Sequence, residues 1–227
     1  MIKGFIFNPI ETNCYLIASG GKVAVVDPGC YSPAEADFLE KAVAEAGQLT
    51  HILLTHGHPD HCFGAARLSR KYGVPVTFSP DDAYILERSG QLAGLFGLDS
   101  VDTGFEKVPA KDGDAVKIGD IELRAIATPG HTPGGLCWFS EGEKVLFSGD
   151  TLFAGTIGRT DLPGGDYDVL MKSVLEKLMT LPEDTMVLPG HGGDTTIGRE
   201  AATNPFLEPF NEPEAGDVEP IALEGRD

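Results

Sequence analysis

Thr55-His56-Gly57-His58-Pro59-Asp60-His61 places three of the chain's six histidines and a carboxylate within seven consecutive residues. The run directly follows residues 50–54, an apolar stretch that reads as a buried strand. Loops leaving the ends of sheet strands are where rigid scaffolds present functional groups. Imidazole and carboxylate are ligands for zinc, iron and similar divalent ions, and four such groups are more than one ion takes from a single loop. His56 and His58 are two apart and can face the same way in an extended loop, whereas Asp60 and His61 begin the next helix and point elsewhere. That division calls for two ions side by side, each completed from distant loops.

Three other loops supply the completing groups. His131 lies in Thr128-Pro129-Gly130-His131-Thr132-Pro133, His191 in Leu188-Pro189-Gly190-His191-Gly192, and Asp150 in Ser148-Gly149-Asp150-Thr151, each after a strand-like run. A carboxylate such as Asp150 can bridge two ions. One loop histidine alone would more often cap a helix or satisfy a buried polar group, but this density of imidazole and carboxylate favours metal. His51 has no clustered partner and is expected to be structural.

Outside these loops, residues 2–7, 14–18 and 23–27 are rich in Ile, Val, Phe and Tyr, with turns at Asn8-Pro9 and Gly20-Gly21. Ser32-Pro33-Ala34-Glu35 predicts a capped helix start, continued by an apolar stripe at Phe38, Leu39, Ala42, Val43 and Ala46 and ended by Gly47. Further helices are predicted over 60–72, 81–88 and 166–181, and strands over 75–78, 115–118, 121–127, 136–139, 144–147 and 185–188. Phe96 and Phe105 lie in the least patterned stretch and could wall a pocket, although aromatics more often join the core. Short strands followed by strands interleaved with helices predict an α/β domain of two packed sheets with helices outside. It is expected to span residues 1–207, before an acidic tail at 208–227 with no periodic apolar pattern.

The formal net charge is −18, from 35 acidic and 17 basic residues. Such a surface repels phosphate backbones and anionic lipid heads, so neither nucleic acid nor a membrane is an expected partner. No apolar run has the length of a membrane span, and no basic region followed by a long apolar run opens the chain. The four cysteines form no C-x-x-C pair and read as reduced, buried thiols. A cytoplasmic location is the expectation. Cys62, beside His61, is expected to pack in its helix and not to touch metal. Oligomeric state is left open.

The 55–61 run resembles the metal-binding motif of the metallo-β-lactamase superfamily. The likeness continues in order through Pro129-Gly130-His131-Thr132-Pro133-Gly134, Ser148-Gly149-Asp150-Thr151-Leu152-Phe153 and Pro189-Gly190-His191-Gly192. Asn13-Cys14-Tyr15 and Val26-Asp27-Pro28-Gly29 are similar to the family's opening strands. The resemblance implies an αββα sandwich, two mixed β-sheets flanked by helices, with the site at one edge. It implies that His56, His58 and His131 hold one metal, that Asp60, His61 and His191 hold a second, and that Asp150 bridges them. Asp150 stands where di-zinc β-lactamases often carry Cys, which points to the glyoxalase II-like branch. Gly158-Arg159-Thr160-Asp161-Leu162-Pro163-Gly164-Gly165-Asp166 resembles the short bacterial members of that branch. A similar run occurs in persulfide dioxygenases, so a mononuclear iron persulfide dioxygenase is the alternative. The stretch after His191 is too short for the helical domain with which typical glyoxalase II enzymes bind glutathione.

Two divalent ions, zinc first and iron or manganese equally suited to these donors, would make water available as hydroxide at neutral pH. The expected activity is hydrolysis of a small-molecule thioester of the hydroxyacylglutathione type. Asp60 is the catalytic candidate, as a ligand that also orients the attacking water. Arg159 either binds a substrate carboxylate or pairs with Asp161 or Asp166. Asp27 either accepts a ligand histidine's N–H or shapes the turn before Pro28-Gly29.

Overall fold

Both faces of the central strands are apolar, and that sets the number of layers. In the computed structural model, which describes residues 1–208, alternate residues of β2 (Thr12–Ser19) enter different cores. Cys14 and Leu16 face one side, and Tyr15 and Ile17 the other. In β3 (Lys22–Val26), Val23 and Val25 oppose Ala24 and Val26 in the same way. A sheet buried on both faces needs a cover on each.

The first sheet runs β1 (Ile2–Phe7), β2, β3, β4 (Gln48–Leu53), β5 (Val76–Phe78), β6 (Lys107–Pro109), antiparallel as far as β3 and parallel beyond. Its outer face is covered by α1 (Pro33–Ala46) and α3 (Ala65–Tyr72), through Leu39, Val43, Ala65 and Leu68. The second sheet is ordered β14 (Thr195–Thr196), β13 (Met186–Pro189), β10 (Val145–Gly149), β9 (Leu136–Ser140), β8 (Ile121–Ala127), β7 (Ala115–Ile118). Only its β10–β13 pair is parallel. Trp138, Phe147, Leu123 and Ile118 pack it against the first sheet. On its outer face, α6 (Tyr167–Ser173) and α7 (Ile197–Thr203) bury Leu170 and Ile197. The architecture is therefore an αββα sandwich of two mixed sheets.

Several elements differ from expectation. Residues 60–72 do not form one helix: α2 (Pro59–Cys62) stops, and α3 restarts after Gly64. Gly64 donates its N–H to Pro28 O at 2.7 Å, and a Cβ there would overlap Cys30 Sγ, so the turn is locked to the Pro28–Cys30 segment. The helix expected over 166–181 is α-helical only in α6, capped by Asp166, and widens into a π turn at Val174–Leu178. The helix expected near 81–88 is a 3-10 turn at Pro80–Asp82 and α4 (Ala83–Glu87), followed by an unexpected α5 (Ser89–Leu95). Strands β6, β14 and the hairpin of β11 (Leu152–Phe153) and β12 (Thr156–Ile157) are too short to carry a period. Phe105 is buried in the first core and walls no pocket at the histidine cluster.

All four cysteines are buried and unpaired. Among the described residues no helix is long and apolar enough to cross a membrane. The expected acidic tail, Glu208 apart, lies outside the described residues.

Candidate metal centre

Each of the four histidine and aspartate loops leaves the C-terminal end of a strand. The 55–61 loop follows β4 of the first sheet, whereas His131, Asp150 and His191 follow β8, β10 and β13 of the second. The centre therefore sits on the seam between sheets. Leu136 N–H donates across that seam to Thr55 O at 2.7 Å, and Trp138 Nε1 to Leu54 O at 3.1 Å.

The seven expected ligands converge. His58 Nδ1 lies 3.1 Å from His56 Nε2 and 2.9 Å from His131 Nε2. Asp60 Oδ2 lies 3.2 Å from both His61 Nε2 and His191 Nε2. The Asp150 carboxylate stands against both groups, with Oδ1 3.4 Å from His61 Nε2 and Oδ2 3.5 Å from His131 Nε2 and 3.7 Å from His191 Nε2. Those distances group His56, His58 and His131 on one side and Asp60, His61 and His191 on the other, and His56, His61 and Asp150 form a third group that joins the two.

Hydrogen bonds on the far side of each ring fix which nitrogen faces inward. His56 Nδ1–H donates to Thr55 Oγ1 at 3.0 Å, whose own proton goes to Asp27 Oδ2 at 2.7 Å. His131 Nδ1–H donates to Arg159 O at 2.7 Å, and His61 Nδ1–H to Asp27 Oδ2 at 2.9 Å. The inward nitrogens of His56 and His131 are thus lone pairs aimed at His58. Burial, with the neighbouring imidazoles, pushes His56 well below the usual imidazole range and His58 down to about 3. Both are neutral at pH 7, the form that binds metal. Burial alone would also depress His61, but Asp60, Asp150 and Asp27 outweigh it and raise its proton affinity well above normal. His61 Nε2 and Asp150 Oδ1 are buried without a hydrogen-bond partner. A cation between them satisfies both atoms, so the residues present fit a pair of divalent ions.

Four supporting residues carry no pattern legible in the sequence. Asp82, fully buried, accepts from Gly57 N at 2.7 Å, Thr132 Oγ1 at 2.8 Å and Gly134 N at 2.6 Å, tying the 55–61 loop to the loop of His131. Thr12 Oγ1 donates to Asp60 Oδ2 at 2.8 Å. Asn8 Nδ2 donates to Asp60 O at 3.1 Å, and Asn13 Nδ2 holds Pro189 O and Gly192 O at 2.9 Å each. In the sequence Asn8 reads only as a turn residue, Asp82 only as part of a helix, and Asn13 only as part of a strand likeness. Asp27 fills both roles expected of it. It accepts from His61 and from Thr55 N at 2.7 Å, and it adopts a left-handed turn conformation at φ 49°.

Arg159 donates from Nε and Nη2 to the two oxygens of Asp161, each at 2.7 Å, while lining the same cavity as the ligands. Asp166 instead caps α6. Cys62 packs with Sγ 3.7 Å from His56 O, and His51, half-buried beside Thr50, belongs to neither ligand cluster. The cavity above the ligands measures about 310 Å³ and is walled by Ile10, Leu92, Phe96, Phe153 and Leu162.

The model of the metallo-β-lactamase superfamily matches residues 8–191. Hydroxyacylglutathione hydrolase GloC of Haemophilus influenzae is 38% identical over 201 residues, covering 87% of this chain and 93% of its own length. Among solved structures, the B3 metallo-β-lactamase BLEG-1 gives a TM-score of 0.83 at 34% identity, covering 91% of this chain and 99% of that one. TTHA1623, solved in a di-iron-bound form, gives 0.81 at 35% identity, covering 90% and 100%. ETHE1 from Myxococcus xanthus gives 0.73 at 26% identity, covering 94% and 92%. With the matched stretch taking in all seven clustered histidines and aspartates, this chain belongs to the metallo-β-lactamase superfamily.

Proposed function

We propose that the chain is a di-metal thioester hydrolase of the hydroxyacylglutathione hydrolase type. The observation that carries the reading is the Asp150 carboxylate, which stands against members of both adjoining ligand clusters beneath one open cavity. The likeness to GloC supports the choice of thioester. His56, His58 and His131 would hold one ion, Asp60, His61 and His191 the other, and Asp150 both. Zinc is the metal proposed, although the same donors accept iron or manganese and a similar protein was solved with two irons. Bound there, the ions supply an acidified water and polarise a carbonyl.

The chain's own groups do the rest. Asp60, held by Thr12, would orient the attacking water. Ile10, Phe153 and Leu162 shield the reacting carbonyl from bulk solvent. Arg159 commits one guanidinium edge to Asp161, which leaves Nη1 for a substrate carboxylate. The buried, unpaired thiols support a reducing, cytoplasmic setting.

The test is to count metals per chain in freshly isolated protein and to assay hydrolysis of S-lactoylglutathione, with a β-lactam as control. Two metals and thioester turnover are expected. No turnover of any simple thioester by the metal-loaded protein sinks the reading. One iron per chain with oxygen uptake on glutathione persulfide replaces it with the persulfide dioxygenase.

A further inference from the structure

The cavity over the ligands does not end at its apolar wall. Leu92 of α5 lines it and also lines a second hollow of about 180 Å³, whose other walls include Tyr84, Ile85, Leu95 and Pro163. Leu162 and Pro163 are consecutive, one on each cavity, so the two hollows adjoin at Leu92 as a trough in two parts between the ligand clusters and α4. The wall is apolar yet open to solvent: Tyr84 is 38% exposed, Leu95 68% and Phe96 42%. Large apolar side chains left exposed beside a site mark a binding surface.

A cation stands at the far end. Arg88 lies over the Tyr84 ring, with Cζ 4.6 Å from the centroid, and donates to Tyr84 OH at 3.3 Å. Two cations line the two hollows. Arg159 gives Nε and Nη2 to Asp161 and keeps only Nη1 for the end nearest the ligands, whereas Arg88 meets no carboxylate among the described residues. In a chain of net charge −18, a guanidinium held by an aromatic ring and left without an acid is placed to take an anion.

We propose that this trough binds the extended apolar arm of the substrate and that Arg88 anchors an anionic group at the arm's end. Within the proposed thioester hydrolysis, the substrate class is then narrowed to thioesters whose acyl arm, longer and more apolar than the short hydroxyacyl group of S-lactoylglutathione, runs over Leu92 and terminates in a carboxylate or phosphate. The inference rests on the ligand clusters being the reaction centre.

Binding is tested without turnover, on the zinc-loaded full chain, by calorimetry with three non-hydrolysable thioethers. These are 8-(methylthio)octanoate, the phosphonate of the same length and 8-(methylthio)octan-1-ol. An acid binding about tenfold more tightly than the alcohol is expected, equivalent to one charge-assisted pair. Arg88→Gln removes that preference and Arg88→Lys retains it. Tighter binding of the phosphonate identifies a phosphate end, and tighter binding of the octanoate a carboxylate end. Equal affinity for acid and alcohol, or a preference that survives in Arg88→Gln, overturns the proposal. So does a dimer in sedimentation that Leu95→Glu dissociates while none of the three ligands binds, which would make the face a contact between copies. Ligand preference with no thioesterase activity counts against the proposed reaction. Turnover with no preference counts against the trough.

Discussion

Asp82 shows how much of the centre depends on a side chain that touches no metal. Its carboxylate holds a backbone N–H between His56 and His58, and on the other side the hydroxyl beside His131. Asp82→Asn keeps the shape but cannot accept three donors with both termini. Metal affinity is expected to fall about 10–100-fold, read by chelator competition, with secondary structure retained. Thr12→Val removes the donor on Asp60 Oδ2 and is expected to lower kcat more than it raises KM for the thioester. The seven side chains that cluster were legible as a group because imidazole and carboxylate carry their chemistry in their identity. Asp82, Thr12 and Asn8 were not, since a polar side chain bonded to nearby backbone leaves no spacing to read. Arg159 was legible as an alternative between two roles, and only the fold shows that its guanidinium pairs with Asp161 and not Asp166.

At the scale of elements, length decided legibility. Strand β2 and helix α1 announced themselves through an apolar run and a capping box, and the box is present as expected between Ser32 and Glu35. Two-residue strands have no period, and the break between α2 and α3 depends on Cys30, which only tertiary contact reveals. Loop β13–His191 allows a sharp test. A Cβ at Gly190 would overlap Asp150 Oδ1 and His61 Cε1, so Gly190→Ala is expected to fold with the second ligand cluster spread and metal content roughly halved by elemental analysis. The packing of α1 on α3 has a pH signature. Glu40 accepts from Arg67 Nε at 2.7 Å and Lys71 Nζ at 2.6 Å, and the Arg67 bond holds its carboxyl below the usual range. A carboxyl depressed in the folded state stabilises above its unfolded value and loses that contribution as pH falls through the folded one. Glu40→Gln should cost roughly 0.5–1 kcal/mol at pH 7 after solvent screening, seen in thermal melts, and the gap should close as pH falls below the usual glutamate range through the lowered folded value.

For the molecule as a whole, the αββα order follows from strands apolar on both faces. The seam position of the centre follows from drawing ligands from both sheets. Ions there would bridge the two halves of the sandwich and bind only the folded chain. Chelation is expected to lower Tm, by about 4 kcal/mol of stability where free metal stands 1,000-fold above Kd, and zinc should restore it. The whole-molecule view also bears on how thioester cleavage can be watched. Burial pushes the Cys30 thiol up to about 12 and Cys137 up to about 11, and raises Cys14 and Cys62 well above normal. None is nucleophilic near neutrality. A chromogenic disulfide reagent in the cuvette would therefore colour with thiol released from substrate while the native polypeptide stays silent, and the protein's own four equivalents would appear only on adding denaturant.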